Sequence, residues 1–294
     1  MDERRAAPPR IGVPSGLAER AREFAAAGLS PPVPRDAATV ILLRQAAGVE
    51  AFLLRRTRAL EFAPGACVFP GGSVDEHDAD PAICETGWVG PSAAEFGDLL
   101  GVSADRSRAL VCAAVRETFE ESGVLLAGPS PTDLVHDSAV LVRDRRSLLD
   151  GSASLGELLS RRGLVLRADL LTPWARWITP EASPRRFDTW FFAAALPTGQ
   201  MAALAAAAGP QARPVPRESD SGTWLRPSAA LEAARAGQIT LLPPTAVTLA
   251  ELAAYRDVAS ILAERRMIAP LMPSVVFEDE RAWLAMPQAI EYPL

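Results

Sequence analysis

Three glutamates, Glu117, Glu120 and Glu121, crowd into the run Arg116-Glu117-Thr118-Phe119-Glu120-Glu121-Ser122-Gly123. At about 100° per residue in an α-helix, with Glu117 set to zero, Glu121 lies near about +40° and Glu120 near about −60°. Val115 and Phe119 fall on the far side, at about +160° and about −160°, together with Val111 and Cys112. The segment is therefore expected as a helix that packs an apolar stripe on a sheet and turns an acidic stripe away from it. Gly123 stands where a left-handed residue would end the helix. Ser103 or Ser107 could cap its start.

Like charges one turn apart repel on a bare helix. A divalent cation reverses that sign. Mg2+ and Mn2+ take carboxylate and water oxygens, and Mg2+ sites often combine a few carboxylates with substrate phosphates. Read alone, Glu-x-x-Glu-Glu is also what a solvated acidic face looks like, and the wider context decides. Upstream the chain reads Phe69-Pro70-Gly71-Gly72, where glycines would let backbone carbonyls approach a metal or phosphate with no Cβ in the way.

Phe69-Pro70-Gly71-Gly72 followed by Arg116-Glu117-Thr118-Phe119-Glu120-Glu121-Ser122-Gly123-Val124 resembles the Nudix box. Thr118 stands where an aliphatic residue is usual, and the stretch from Gly72 to Arg116 is far longer than in the usual box. The first glutamate of the box has no assignable counterpart: counting forward from Gly72 reaches Asp78, and counting back from Arg116 reaches Arg108. The long insertion resembles the Nudix branch that includes the peroxisomal-type coenzyme A diphosphatases. Trp174-Ala175-Arg176-Trp177-Ile178-Thr179-Pro180, Pro184-Arg185-Arg186-Phe187-Asp188-Thr189 and Leu241-Leu242-Pro243-Pro244-Thr245 are similar to that branch too. The upstream signature of classical coenzyme A Nudix enzymes is kept only at Gly65, and Glu61 occupies its arginine position.

The resemblance implies an α/β fold, a Nudix α/β/α sandwich with a mixed central sheet and extra helices in the insertion and C-terminal region. It implies Mg2+ or Mn2+ held by Glu117, Glu120 and Glu121, with a carbonyl of Gly71 or Gly72 completing the shell and Arg116 holding Glu117. One further acid, shortly before a tryptophan, is expected as a ligand or general base. Glu218 ahead of Trp224 fits, with Asp220 in reserve, although Glu117 is the first choice of base. The implied activity is hydrolysis of a nucleoside diphosphate-linked small molecule, coenzyme A or an acyl-coenzyme A first, giving 3′,5′-ADP and a phosphopantetheine. The alternatives are a pyrophosphatase for NADH, ADP-ribose, another dinucleotide or capped RNA, and, in another class, a nucleotide sensor without turnover. Arg185, Arg186 and Arg176 are candidates for the rest of the ligand, with an ion pair between Arg186 and Asp188 as the structural reading of that segment. A homodimer is a family-level expectation.

Charge and composition narrow the field. A net charge of −6 argues against non-specific nucleic-acid binding, which depends on neutralising phosphates. The basic residues are all arginine, so a Schiff-base lysine and a Walker-A loop are excluded. Arginine's planar fork suits a phosphorylated ligand. Cys67, Cys84 and Cys112 have no paired or metal-type spacing, and His77 and His136 cannot build a zinc site with them. No apolar run approaches a membrane span, and the start lacks a secretory stretch. A cytoplasmic protein is expected.

Residues 1–36 read as an N-terminal arm, in part disordered, with a helix at Ser15–Ala27. Residues 37–294 read as one domain. Strands are expected at 39–44 and Val49–Arg56, joined as a hairpin, then a strand end turning into a loop at the glycine pair. The insertion, about 76–105, opens on acidic residues and holds a helix introduced by the capping box Ser92-Ala93-Ala94-Glu95; it is a flap beside the site or decoration. Further expectations are a helix at 154–162 ended by Gly163, strands at 174–178 and 187–194, helices at 228–236 and 248–266, and a helical C-terminal extension over about 246–294.

Overall fold

The computed structural model describes residues 11–13, 15–28, 30–57, 64–83, 87–202, 219–278, 281–287 and 290–294. A two-residue strand β1 (Ile11–Gly12) precedes helix α1 (Ser15–Ala27). Strands β2 (Arg35–Gln45) and β3 (Val49–Arg56) form the expected antiparallel hairpin. β2 is longer than 39–44 because its first residues pair with other strands. β4 (Ala66–Val68) returns along β3, and β5 (Gly71–Ser73) lies antiparallel on the start of β2. The glycine pair is thus strand rather than loop.

The insertion contributes a 3-10 turn (Glu76–Ala79), strand β6 (Trp88–Val89) and helix α2 (Ala93–Leu100). The capping box of α2 forms as expected, with Ser92 accepting the Glu95 N–H and Glu95 accepting the Ser92 N–H. Helix α3 (Ala104–Ser122) follows at once and carries the acidic trio. Of the two candidate caps it uses Ser103, whose hydroxyl accepts the Arg106 N–H at 3.3 Å. Ser107 is buried inside the helix, its hydroxyl donating to the Ala93 carbonyl. The insertion therefore ends before α3, not at residue 105. Gly123 closes α3 with φ at 76°.

The chain continues through β7 (Ala127–Gly128), α4 (Val142–Leu149), α5 (Leu155–Arg162), β8 (Val165–Arg167), β9 (Thr172–Ile178) and β10 (Phe187–Ala195). α5 has a Ser154–Glu157 capping box and ends on Gly163. Beyond lie β11 (Ser219–Leu225), α6 (Pro227–Arg235), β12 (Thr240–Leu241), α7 (Pro243–Leu252) and α8 (Val258–Leu262). The single helix expected over 248–266 is two. α7 starts earlier, on a proline pair suited to a first helical turn, and α8 starts afresh where Asp257 accepts the Ser260 N–H at 2.7 Å. The rest of the C-terminal region is strand rather than helix: β13 (Pro270–Leu271), β14 (Ser274–Glu278) and β15 (Arg281–Ala285). Pro270 and Pro273 oppose helix, and Val275, Val276 and Phe277 favour a pleated strand.

The main sheet runs β12-β4-β3-β2-β10-β9-β13, with β11 also on β3 and β5 also on β2. It is mixed, since β10 on β2, β12 on β4 and β13 on β9 are parallel and the remaining pairs antiparallel. Side chains alternate between faces along each strand. Val40, Leu42, Phe52, Trp190 and Phe192 face α3 through Leu110, Val111, Val115 and Phe119. Ile41, Leu43, Leu53, Trp174 and Phe191 face the helices that carry Leu231, Leu249 and Ile261. The result is the α/β/α sandwich with a mixed central sheet. Two small sheets flank it, β6-β8-β7 and β1-β15-β14. The second ties the N-terminal arm to the C-terminal hairpin, and Arg22 lies 5.1 Å over the Phe277 ring. Among the described residues no helix is long and apolar enough to cross a membrane.

A chain of charges fixes the start of α3 on the sheet. Arg106 donates to both oxygens of Asp36, at 2.8 and 2.5 Å, and to Asp188 at 2.8 Å. Arg176 donates to both oxygens of Asp188, at 2.8 and 2.6 Å, and lies 4.6 Å over the Trp190 ring. Asp188 is 5% exposed and separates two like charges. Asp188→Asn is expected to lower stability by about 2 kcal/mol, less than breaking a fully buried pair, because Arg106 keeps Asp36 and both arginines stay partly exposed. Urea unfolding of both proteins measures it; a loss within about 0.5 kcal/mol, the range of an ordinary surface change, would contradict the role given to Asp188.

Candidate metal and catalytic site

The site begins with strand register. Gly71 sits opposite Thr39 and Gly72 opposite Ala38, on the stretch of β2 that α3 covers. The Gly71 N–H donates to Glu121 Oε2 at 2.7 Å. A Cβ on Gly72 would overlap the Glu117 carboxylate, and one on Gly71 would overlap the Ala38 carbonyl and Thr39. At Gly71 glycine is a steric requirement, since the clash is with strand backbone, whereas at Gly72 a Cβ would displace the Glu117 carboxylate from the corner; the corner and the acids are in contact.

Arg116 organises the acids. Its Nη1 donates to Glu117 Oε1 at 2.9 Å and to Glu120 Oε1 at 3.1 Å. Its Nε and Nη2 grip Asp78 at 3.0 and 2.8 Å, and Nη2 also donates to the Ser73 carbonyl at 2.9 Å. Asp78 is 2% exposed in the 3-10 turn, and its carboxylate accepts the Asp75 N–H at 2.8 Å as well. Of the two counts for the first acid of the box, the forward one reaches the residue that pairs with Arg116. Arg108, the backward count, donates to Asp105 and to the Ala79 carbonyl instead.

Burial drives the electrostatics. It pushes the Glu117 carboxyl up to about 7, with the Arg116 charge opposing and Glu120 adding to the rise. Glu120 is raised by burial too, again against Arg116, with Asp78 and Asp75 adding repulsion. Burial works against the Arg116 charge, but Asp78, Glu117 and Glu120 together hold the guanidinium firmly protonated.

Among the described residues no three His, Cys, Asp or Glu side chains converge as a ready-made metal cage. Glu117 and Glu120 face Arg116, and Glu121 faces the Gly71 amide. The donors nonetheless fit a hard divalent cation. They are all carboxylate oxygens, they outnumber the one arginine among them, and they border a glycine cradle that any Cβ would fill. Thr118, polar at an aliphatic position, is buried with its hydroxyl satisfied by the Ala114 carbonyl at 2.6 Å.

The arginines expected at the rest of a ligand are placed differently. Arg176 is engaged by Asp188. Arg186 is 7% exposed and donates to the Thr179 carbonyl at 3.1 Å and the Pro32 carbonyl at 2.8 Å. The expected Arg186–Asp188 pair is replaced by Asp188 with Arg106 and Arg176. The reason is that β9 brings Arg176 directly across from β10, with Arg176 opposite Trp190. Arg185 is exposed. Glu218 lies outside the described residues. Asp220 is exposed on β11 at a register shift opposite Arg55 and Arg56. Cys67 and Cys112 are buried free thiols, and Cys84 lies outside the described residues.

The family model described as the NUDT19 Nudix domain matches residues 91–252, more than half of the chain. The chain is 28% identical over 264 residues to the acyl-coenzyme A diphosphatase NUDT19 of Gallus gallus, covering 74% of this chain and 68% of that protein. It is 28% identical over 257 residues to the Homo sapiens protein of the same name, covering 74% and 64%. The chain thus spans about two thirds of the curated relatives it matches. A crystal structure of a Nudix hydrolase from Alicyclobacillus acidocaldarius superposes with a TM-score of 0.62 at 27% identity, covering 80% of this chain and 98% of that one.

Glu117 leaves a signature in stability. Its ordinary value is 4.5, and in the fold it rises to about 7. Between these the folded state binds more protons than the unfolded one, so stability falls as pH rises through that window and levels off above it. Urea unfolding of the cation-free protein in steps from about pH 5 to about pH 8 should show wild type losing stability relative to Glu117→Gln. A difference that stays level, or grows in favour of wild type, would rule the raised carboxyl out.

Proposed function

This chain belongs to the NUDT19 Nudix domain family, and from that premise we propose that it is a divalent-cation-dependent diphosphatase acting on coenzyme A or acyl-coenzyme A. The products are 3′,5′-ADP and phosphopantetheine or its acyl form. One observation carries the reading: the glycine corner touches the acidic trio, through Gly71 N–H on Glu121 and Gly72 against Glu117. The two relatives named for acyl-coenzyme A support the substrate class.

In this reading Glu117, Glu120 and Glu121 hold Mg2+ or Mn2+, with a carbonyl of Gly71 or Gly72 as a further ligand. The cation supplies neutralisation of the diphosphate charge and a lowered pKa for water. Arg116 orients Glu117 and Glu120 through charge-assisted hydrogen bonds. Glu117 takes a proton from the attacking water, a task suited to a carboxyl titrating near working pH. The water oxygen bonds to phosphorus, and the bridging oxygen leaves with the other phosphate. Glu218 is the further acid we assign as ligand or base. Arg185, exposed and next to the buried Arg186, is the arginine we assign to the outer part of the ligand.

The test is a substrate panel of coenzyme A, an acyl-coenzyme A, NADH, ADP-ribose and capped RNA, each with Mg2+ and with Mn2+, and products identified by mass. Coenzyme A substrates should be cleaved fastest and release 3′,5′-ADP. Glu120→Gln should lower kcat by roughly 100-fold or more while the substrate still binds. Faster cleavage of another member moves the substrate class. Turnover indifferent to chelator and to Glu120→Gln defeats the cation-dependent mechanism and its assigned site, and binding with no turnover at all identifies a sensor.

A further inference from the structure

The last turn of α3 holds Glu120 and Glu121, and its carbonyls need partners that the helix cannot supply. The Gly123 N–H takes the Phe119 carbonyl at 2.9 Å, and the Ser122 hydroxyl takes that of Thr118 at 2.6 Å. The Val124 N–H turns to the Ser122 hydroxyl at 3.2 Å. The Glu120 carbonyl is met from outside the helix. Arg145, on α4, donates to it from Nε at 3.0 Å. Arg145 is 8% exposed, so a buried positive charge stands at the negative end of the helix dipole, where it stabilises most.

Glu120 is therefore gripped at both ends, by Arg145 at the carbonyl and by Arg116 at the carboxylate. Its neighbour Glu121 is tied to the Gly71 amide. The element that presents Arg145 is itself anchored. Asp144, the preceding residue, is 4% exposed and accepts from Arg161 at 2.7 Å and from Arg162 at 2.6 Å, both on α5. Adjacent residues of α4 thus serve different neighbours, Asp144 binding α5 and Arg145 binding the acidic turn.

We propose that Arg145 is a positioning residue that sets the backbone of this turn and thereby the cation affinity of Glu120 and Glu121. The proposal rests on the cation-site reading given above. Residues that orient metal ligands from behind typically change affinity by about 10- to 100-fold when removed. A residue that merely stabilises the fold lowers the unfolding temperature and leaves the affinity of the folded protein alone.

The test uses the full chain without substrate. Mn2+ affinity is measured by electron paramagnetic resonance and calorimetry for wild type, Arg145→Met and Arg145→Lys, with thermal unfolding of the cation-free proteins alongside. Arg145→Met should weaken Mn2+ binding roughly tenfold or more, and Arg145→Lys should lie between it and wild type. If Arg145→Met does not fold, Arg145→Lys decides: weaker Mn2+ binding with the unfolding temperature retained supports the role. Unchanged affinity in every folded variant, with or without a lower unfolding temperature, overturns the positioning role alone. A wild-type protein that binds no Mn2+ overturns the cation reading and this proposal together.

Discussion

Four acids gathered around one helical turn repel one another, and burying them removes the water that would screen the repulsion. Arg116 supplies the opposing charge. Its guanidinium reaches Asp78 from the 3-10 turn, the Ser73 carbonyl from β5, and Glu117 and Glu120 from its own helix. Such charge-assisted bonds are roughly twice as strong as neutral ones. A planar fork with donors on several edges can serve this many acceptors at fixed angles, which a lysine could not. The position of the insertion, the register of β5 and the exposure of the acids all follow from satisfying this one group.

The helix that carries the acids is held to one strand at both ends. Near its start Arg106 binds Asp36 at the beginning of β2. Near its end Glu121 binds the amide of Gly71, which is paired with Thr39 of the same strand. Between these points Val111, Val115 and Phe119 pack on the sheet. The geometry of the site is therefore a property of how α3 lies along β2. The side chains that fix it include several that touch no reacting atom, Asp36 and Asp188 among them.

What could be read from sequence divides along the same line. The acidic and apolar stripes of α3 follow from helical period alone, and Val115 and Phe119 are fully buried as that period requires. Caps are local too, so the helices opened by Ser92 and Ser154 were legible. Pairing is not local. Nothing in Gly71-Gly72 announces that it will be a strand on β2, and nothing in Arg176 announces that Asp188 will claim it from across the sheet. Asp78 was not legible as the partner of Arg116, because spacing does not say where between Gly72 and Arg116 the extra chain enters. The break between α7 and α8 was missed because the apolar spacing continues past Tyr255, while Asp257 starts a new helix. The terminal strands were missed because short β-branched runs carry no helical period to argue against.

Two backbone carbonyls of the insertion accept from neighbouring residues of α3, that of Ala79 from Arg108 and that of Ala93 from Ser107. The segment from Ala79 to Ala93 thus has both feet on one turn of α3. For such a loop each doubling of length costs only about 0.6 kcal/mol in closure entropy. Asp78, the contact that matters to Arg116, lies before the first foot. Within that segment Ile83 is buried in the core, Trp88 and Val89 pair with β8 and Ser92 caps α2, so evolution could lengthen the chain between these anchors, though not replace them, without disturbing the acids next door.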